Sequence, residues 1–152
     1  MKLSLKGDYA LRALLVLASR RPSEIVHIQL ISDEQNIPKR FLEQILNDLR
    51  NAGFVQSRRG IQGGYRLAKP ADQITLAEVI RHVEGALAPV NCVSERFYEK
   101  CSCPDESRCA IRSVMKEVRD AIVGILGRLT LADLATRAES LKLTINPPDY
   151  SI

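Results

Sequence analysis

The stretch "NCVSERFYEKCSCPDESRC", residues 91–109, contains every cysteine of the chain: Cys92, Cys101, Cys103 and Cys109. Four thiols gathered in one polar segment can form disulfides, hold zinc, hold an iron–sulfur cluster or act as a redox switch. Zinc sites are usually built from paired ligands two to four residues apart, whereas these are separated by eight, one and five residues. Sulfur softness by itself does not separate zinc from iron–sulfur. Cys101 and Cys103 can also act as a vicinal dithiol. Catalysis finds no support elsewhere. The histidines are His27 and His82, both in expected helices, and no acid–base constellation surrounds the thiols. The chain reads as a non-enzyme.

Thiol chemistry depends on compartment. The opening "MKLSLKGDYALRALLVLASRR" is interrupted by Asp8, Arg12 and tandem arginines, unlike the apolar core of a signal peptide. No stretch reaches the roughly 20 apolar residues of a membrane helix. The expectation is a cytoplasmic protein without membrane association, where clustered cysteines serve metals or redox sensing. With 152 residues, 45% of them hydrophobic, the chain suits one domain or a small domain with an extension.

The elements that must position the thiols are mainly helical. "GDYALRALLVLASR" spaces Ala10, Ala13, Leu14, Leu17 and Ala18 as one buried stripe. "HIQLISDEQN" predicts a shorter helix that breaks at "NIP", and Pro38 suits the first turn of the next. That third helix, "PKRFLEQILNDLRNAG", is expected to bury Phe41, Leu42, Ile45, Leu46 and Leu49. It leaves Lys39, Arg40, Glu43, Gln44 and Asn47 outward, and Gly53 ends it. Two short alternating strands follow, "FVQSR" and "YRLAK", joined by "RGIQGG", whose Gly60, Gly63 and Gly64 supply hairpin-tip geometry. Residues 36–70 carry seven Lys/Arg against Glu43 and Asp48, while residues 71–110 carry four basic against seven acidic residues. A helix-turn-helix followed by a basic hairpin is a winged helix. Its third helix reads the major groove and its wing reaches phosphates or the minor groove.

"TLAEVIRHVEG" shows a capping box, Thr75 with Glu78, and a closing Gly85. After the cysteine loop, "CAIRSVMKEVRDAIVGILGRL" predicts a long helix with Ile111, Val114, Met115, Val118, Ile122, Ile125 and Leu126 on one side. That stripe is longer than one small domain can cover, so a homodimer is expected. "TLADLATRAES" predicts a last helix capped by Thr130 and Asp133, and nothing periodic marks the tail. The organisation read from the sequence is a winged helix-turn-helix domain at 1–85, a cysteine loop at 86–110, dimerisation helices at 107–140 and a tail at 141–152.

This order, with "LKGDYALRALLVLA", "IPKRFLEQILNDLRNAGFVQSRRGIQGGYRLAK", "ITLAEVIRHVEG" and "CAIRSVMKEV", resembles the bacterial regulator family that includes IscR, NsrR and RirA, the Rrf-two family. The resemblance implies a homodimeric transcription regulator, a repressor, bound to a near-palindromic double-stranded DNA operator. It places DNA reading at Pro38, Lys39, Arg40 and Glu43 and at Arg58 and Arg59 of the wing. The chemistry agrees: Lys39 and Arg40 suit phosphate or guanine, Gln44 suits adenine, and Glu43 can accept from cytosine N4. Gly63 and Gly64 are expected to let the wing backbone approach DNA closely, with Gly60 of the tip counted among the DNA-binding residues. The resemblance also implies an iron–sulfur cluster, 2Fe–2S in preference to 4Fe–4S, on Cys92, Cys103 and Cys109. The histidine that some members use three residues after the last cysteine is here Arg112. Others use an acidic residue of the partner subunit, which matches Asp8, whose alternative role is helix capping. Cys101 is the extra thiol. In an extended loop Cys101 and Cys103 would point opposite ways, which leaves Cys101 a lesser candidate ligand. Two alternatives stand beside this reading: a cluster-free thiol switch and a zinc-stabilised interaction scaffold.

Overall fold

The computed structural model of the chain describes residues 2–144, with side chains to residue 142. Helix α1 (Leu5–Ala18) is opened by Ser4, whose hydroxyl accepts the Gly7 N–H. Such a cap satisfies one of the unpaired N–H groups of a first turn. The cap is therefore Ser4 and not Asp8. The helix buries the expected stripe, with Ala10, Ala13 and Leu14 fully inside.

Helix α2 (Ile28–Gln35) ends at Asn36, whose φ of 52° is the left-handed turn that stops it. Helix α3 (Lys39–Asn51) follows, with Pro38 as its N-cap, one residue earlier than a first-turn proline. Leu42, Ile45, Leu46 and Leu49 are buried as expected. Phe41 is not. It is 40% exposed and lies under the Arg40 guanidinium, 4.8 Å from the ring centre. Four buried positions already fill the face that α3 turns to α1 and α2, and Phe41 falls just outside that arc.

Strands β1 (Val55–Arg58) and β2 (Gly64–Leu67) pair antiparallel, Val55 opposite Leu67 and Arg58 opposite Gly64. A further rung joins the hairpin to the segment before α2, where Val26 and Tyr65 exchange backbone bonds of 2.8 and 2.9 Å. The wing is thus fixed to the helix-turn-helix.

Helix α4 (Leu76–Glu84) carries the expected capping box, Thr75 with Glu78, and ends at Gly85. Helix α5 (Ala110–Arg128) then spans about 28 Å at 1.5 Å per residue. None of its residues is buried. Ile122, Val123 and Leu126 lean on the winged-helix core and Met115 on the cysteine loop. Ile111, Val114, Val118 and Ile125 face outward, 39–69% exposed. The single stripe read from the sequence therefore divides into an inward and an outward face, and Ile122 belongs to the inward one.

Helix α6 (Leu131–Thr144) is opened by the Thr130–Asp133 box and includes four residues that the sequence left in the tail. The rest of the tail lies outside the described residues. α6 packs on α1, with Leu131 fully buried in the winged-helix core. Backbone bonds from Leu76 to Leu129 and from Leu131 to Ile74 tie its start to that of α4. The helix grouped with the dimerisation segment by sequence position thus also packs on the winged-helix core. Among the described residues no helix is long and apolar enough to cross a membrane.

Candidate nucleic-acid interface and cysteine centre

The turn at Asn36–Pro38 sets the outer face of α3 beyond α2. Lys39, Arg40, Glu43, Gln44 and Asn47 are all exposed there. This is the surface that a recognition helix presents to base edges. Arg50 continues it towards the wing. Its guanidinium donates to the Asn47 side-chain oxygen at 2.6 Å and to the Ser57 hydroxyl at 3.4 Å.

Arg58 and Arg59 stand exposed on the wing, and the His27 ring donates to the Ile61 carbonyl at the tip, 3.0 Å away. A groove of about 310 Å³ between α2 and the wing is lined by His27, Arg50, Arg58 and Arg59. A larger one, about 730 Å³, on the flank of the hairpin is lined by Arg50, Arg58 and Arg66. The sequence places Arg66 with Arg58 and Arg59 on the basic hairpin, and counts Arg50 in the basic block without a role.

The glycines divide by role. Gly60 has a φ of 109° and is exposed at the tip. Gly63 is buried, and a β-carbon there would lie 2.3 Å from the Arg58 carbonyl oxygen; at Gly64 it would lie 2.2 Å from that of Val26. Packing against the wing backbone at 63, and against the segment before α2 at 64, requires glycine at both positions.

The thiols converge at the N-terminal end of α5. All four line one cavity of about 230 Å³, together with Glu99 and Arg112. The sulfurs of Cys103 and Cys109 are 3.9 Å apart. Ligand atoms of Cys92, Cys101 and Glu106 lie within 4.8 Å of one another. The expectation that Cys101 and Cys103 point apart fails, because the chain bends at Ser102 and again at Pro104. Alternation holds only in extended backbone, and the bend turns both sulfurs to the same cavity.

The loop is built onto α5. Cys109 is the N-cap of the helix, its sulfur accepting the Arg112 N–H at 3.4 Å. Arg112 donates from Nε to the Cys92 carbonyl at 3.3 Å, and Arg119 to the Val93 carbonyl at 2.7 Å. Cys92 is buried beside Val93 and Ala88. Burial pushes its thiol pKa up, and the neighbouring Cys101 adds to this. A backbone hydrogen bond from Cys103 holds Cys101 below the usual thiol value. A side-chain hydrogen bond with Cys101, with one from Cys109 adding, pushes the Cys103 thiol up to about 11.

Glu106 is held by the Tyr98 hydroxyl, 2.8 Å from each carboxylate oxygen, and by Arg112 at 3.6 Å. Glu106, Tyr98, Arg112 and Arg119 were not read as site residues. Contacts within an aperiodic loop leave no spacing signal. Asp8, on α1, pairs with Arg12 at 3.1 Å. His82 faces Asp48 at 3.2 Å and the Phe54 ring, as a packed helix histidine does.

Comparison with known proteins places this geometry among transcription regulators. A family model named Rrf2, described as an iron-dependent transcriptional regulator, matches residues 3–137. An rrf2-like HTH-type transcriptional regulator of Rhodobacter capsulatus is 44% identical over 133 residues, 85% of this chain and 89% of that protein. The structure of CymR, described as the global cysteine regulator of B. subtilis, aligns with a TM-score of 0.76 at 34% identity. It covers 90% of this chain and 98% of its own. The structure of T. potens IscR aligns at 0.73 and 32% identity, covering 93% and 91%.

Proposed function

The chain belongs to the Rrf2 family of transcriptional regulators, a non-enzymatic family, and from that premise we propose a homodimeric repressor whose DNA affinity is set by an iron–sulfur cluster in the cysteine loop. The observation that carries the reading is the convergence of four thiols on one cavity at the start of α5. The residues fit such a group. Two thiolates each about 2.3 Å from one tetrahedral metal lie about 3.8 Å apart, and Cys103 and Cys109 are separated by 3.9 Å. Cys92, Cys103 and Cys109 would hold the cluster, as the family pattern implies, and Arg112 beside them offsets negative charge. A bound cluster supplies an iron centre whose oxidation or loss changes the charge and the cross-linking of the loop. The description of the family as iron-dependent supports iron as the metal.

The chain's own residues carry that change to DNA. Arg112 and Arg119 hold the carbonyls of Cys92 and Val93 against α5, and Cys109 begins the helix. The far half of α5 rests on the winged-helix core through Ile122, Val123 and Leu126. One rigid helix therefore joins the loop to the support of α3. The outward residues Ile111, Val114, Val118 and Ile125 form the seam with a second copy. Half-sites of a dimeric reader lie about 34 Å apart, so a small rotation at the seam changes the fit of two recognition helices at once. On each half-site Lys39, Arg40 and Gln44 read bases or phosphate, Glu43 selects cytosine, and Arg58 and Arg59 grip the backbone.

A second reading keeps the DNA chemistry and replaces the cluster with a disulfide switch. It is favoured by the proximity of Cys103 to Cys109. Metal analysis of anaerobically purified protein separates the two. Iron and acid-labile sulfide in equal amounts support the cluster. Metal-free protein whose thiols pair on mild oxidation supports the switch, and stoichiometric zinc contradicts both.

A further inference from the structure

We propose that Cys101, the thiol left over by a three-cysteine pattern, is the fourth ligand, so that one protomer's four sulfurs hold a two-iron cluster and the partner contributes none. The proposal rests on the reading of the loop as a cluster site. All four sulfurs line one cavity, in a run of contacts from Cys92 through Cys101 and Cys103 to Cys109. Cys103 and Cys109 are 3.9 Å apart, the spacing of two thiolates that share one tetrahedral metal. Cys92 and Cys101 form the second pair, their sulfurs within 4.8 Å of each other. Two irons each held by two cysteines is the ordinary ligation of a 2Fe–2S unit. The bend at Ser102 makes the second pair possible, because it turns Cys101 to the same side as Cys103.

The competing oxygen ligands are already engaged. Asp8 pairs with Arg12 at 3.1 Å on α1. Glu106 lies within reach of Cys92 and Cys101, but both its oxygens accept from the Tyr98 hydroxyl and Arg112 stands 3.6 Å away. Four thiolates give a site of net negative charge. Arg112 lines the cavity, and its backbone N–H points at the Cys109 sulfur from the first turn of α5. Both favour anionic sulfur. Each thiol releases its proton to solvent as its sulfur bonds ferric iron, and with iron supplied as ferric no electron is exchanged.

The test is Mössbauer spectroscopy of the full-length chain after anaerobic reconstitution with iron and sulfide, with iron counted per protomer. In the oxidised, diferric state the wild type should show two irons in equivalent all-sulfur sites. Cys101→Ser should convert one of them to a distinct oxygen-ligated site or lose the cluster. Asp8→Ala and Glu106→Gln should leave the wild-type spectrum unchanged. The proposal is overturned if the wild type already shows two unequal irons that change in Asp8→Ala or Glu106→Gln but not in Cys101→Ser. Four irons per protomer also overturns it. Because Asp8 and Glu106 are tested separately, the proposal stays refutable even if Cys101→Ser fails to fold. A wild type that takes up neither iron nor sulfide defeats the underlying cluster reading, and that result is visible before any variant is made.

Discussion

Ile125→Glu tests the seam on α5. Ile111, Val114, Val118 and Ile125 are 69, 55, 39 and 48% exposed in the single chain. Together they leave about two side chains' worth of apolar surface, about 4 kcal/mol per protomer at about 2 kcal/mol for each fully buried aliphatic side chain. In a two-fold dimer each residue counts twice. Ile125 at 48% exposure is then worth about 2 kcal/mol per dimer, which weakens association about 30-fold when lost. Two carboxylates placed in the seam without partners add several kcal/mol of desolvation. The loss of affinity should therefore reach about 1000-fold or more. Sedimentation velocity from nanomolar to micromolar protein measures it, with circular dichroism to confirm folded monomer. Ile122→Glu is the contrast. Ile122 packs inward on the winged-helix core, so that variant should lose stability first. The reasoning is refuted if Ile125→Glu associates like the wild type, or if the wild type is monomeric at micromolar concentration.

Arg59→Ala should weaken operator binding and lower the slope of log affinity against log salt by about one, because one phosphate contact is lost; titration at several salt concentrations shows it. Glu43→Ala should leave total affinity nearly intact but relax preference by about 1–3 kcal/mol at one base pair, measured on a panel of single-substituted duplexes. Gly64→Ala should destabilise the chain by about 1–3 kcal/mol in urea unfolding, since the new β-carbon meets the Val26 carbonyl at 2.2 Å. Asp133 gives a pH dependence. Hydrogen bonds from the backbone and hydroxyl of Thr130 hold its carboxyl below the ordinary 3.8. Its contribution is thus complete above that pH and is lost as pH falls through the depressed folded value. The gap in thermal midpoint between wild type and Asp133→Ala should be constant at higher pH and narrow below about 3.8.

Periodicity and capping made the helices legible. The Ala10–Leu17 stripe, the Thr75–Glu78 and Thr130–Asp133 boxes, and the glycine-tipped wing all fold where the residues indicate. Phe41 was misplaced because a five-residue apolar arc on α3 is wider than the surface available to cover it. The inward and outward faces of α5 were merged for a related reason: an apolar residue does not say which neighbour it meets. The return of α6 to α1 depends on the Thr75–Thr130 bridge between two element starts, a long-range pairing with no local signature. The cysteine loop was legible in composition and not in shape. Its form comes from the bends at Ser102 and Pro104 and from two arginines of α5 that grip carbonyls of the loop. That is why the alternation argument separated Cys101 from Cys103 while the fold brings them together.

The central claim is that the state of the cysteine centre sets the affinity of α3 and the wing for DNA. Its most direct measurement is an anaerobic titration of one near-palindromic operator duplex, at fixed salt, with a single preparation before and after removal of its cluster. The account predicts that specific affinity changes at least about tenfold, a shift of about 1.4 kcal/mol, while binding to unrelated duplex stays the same. Equal specific affinity of the two forms, both dimeric and folded, would contradict it.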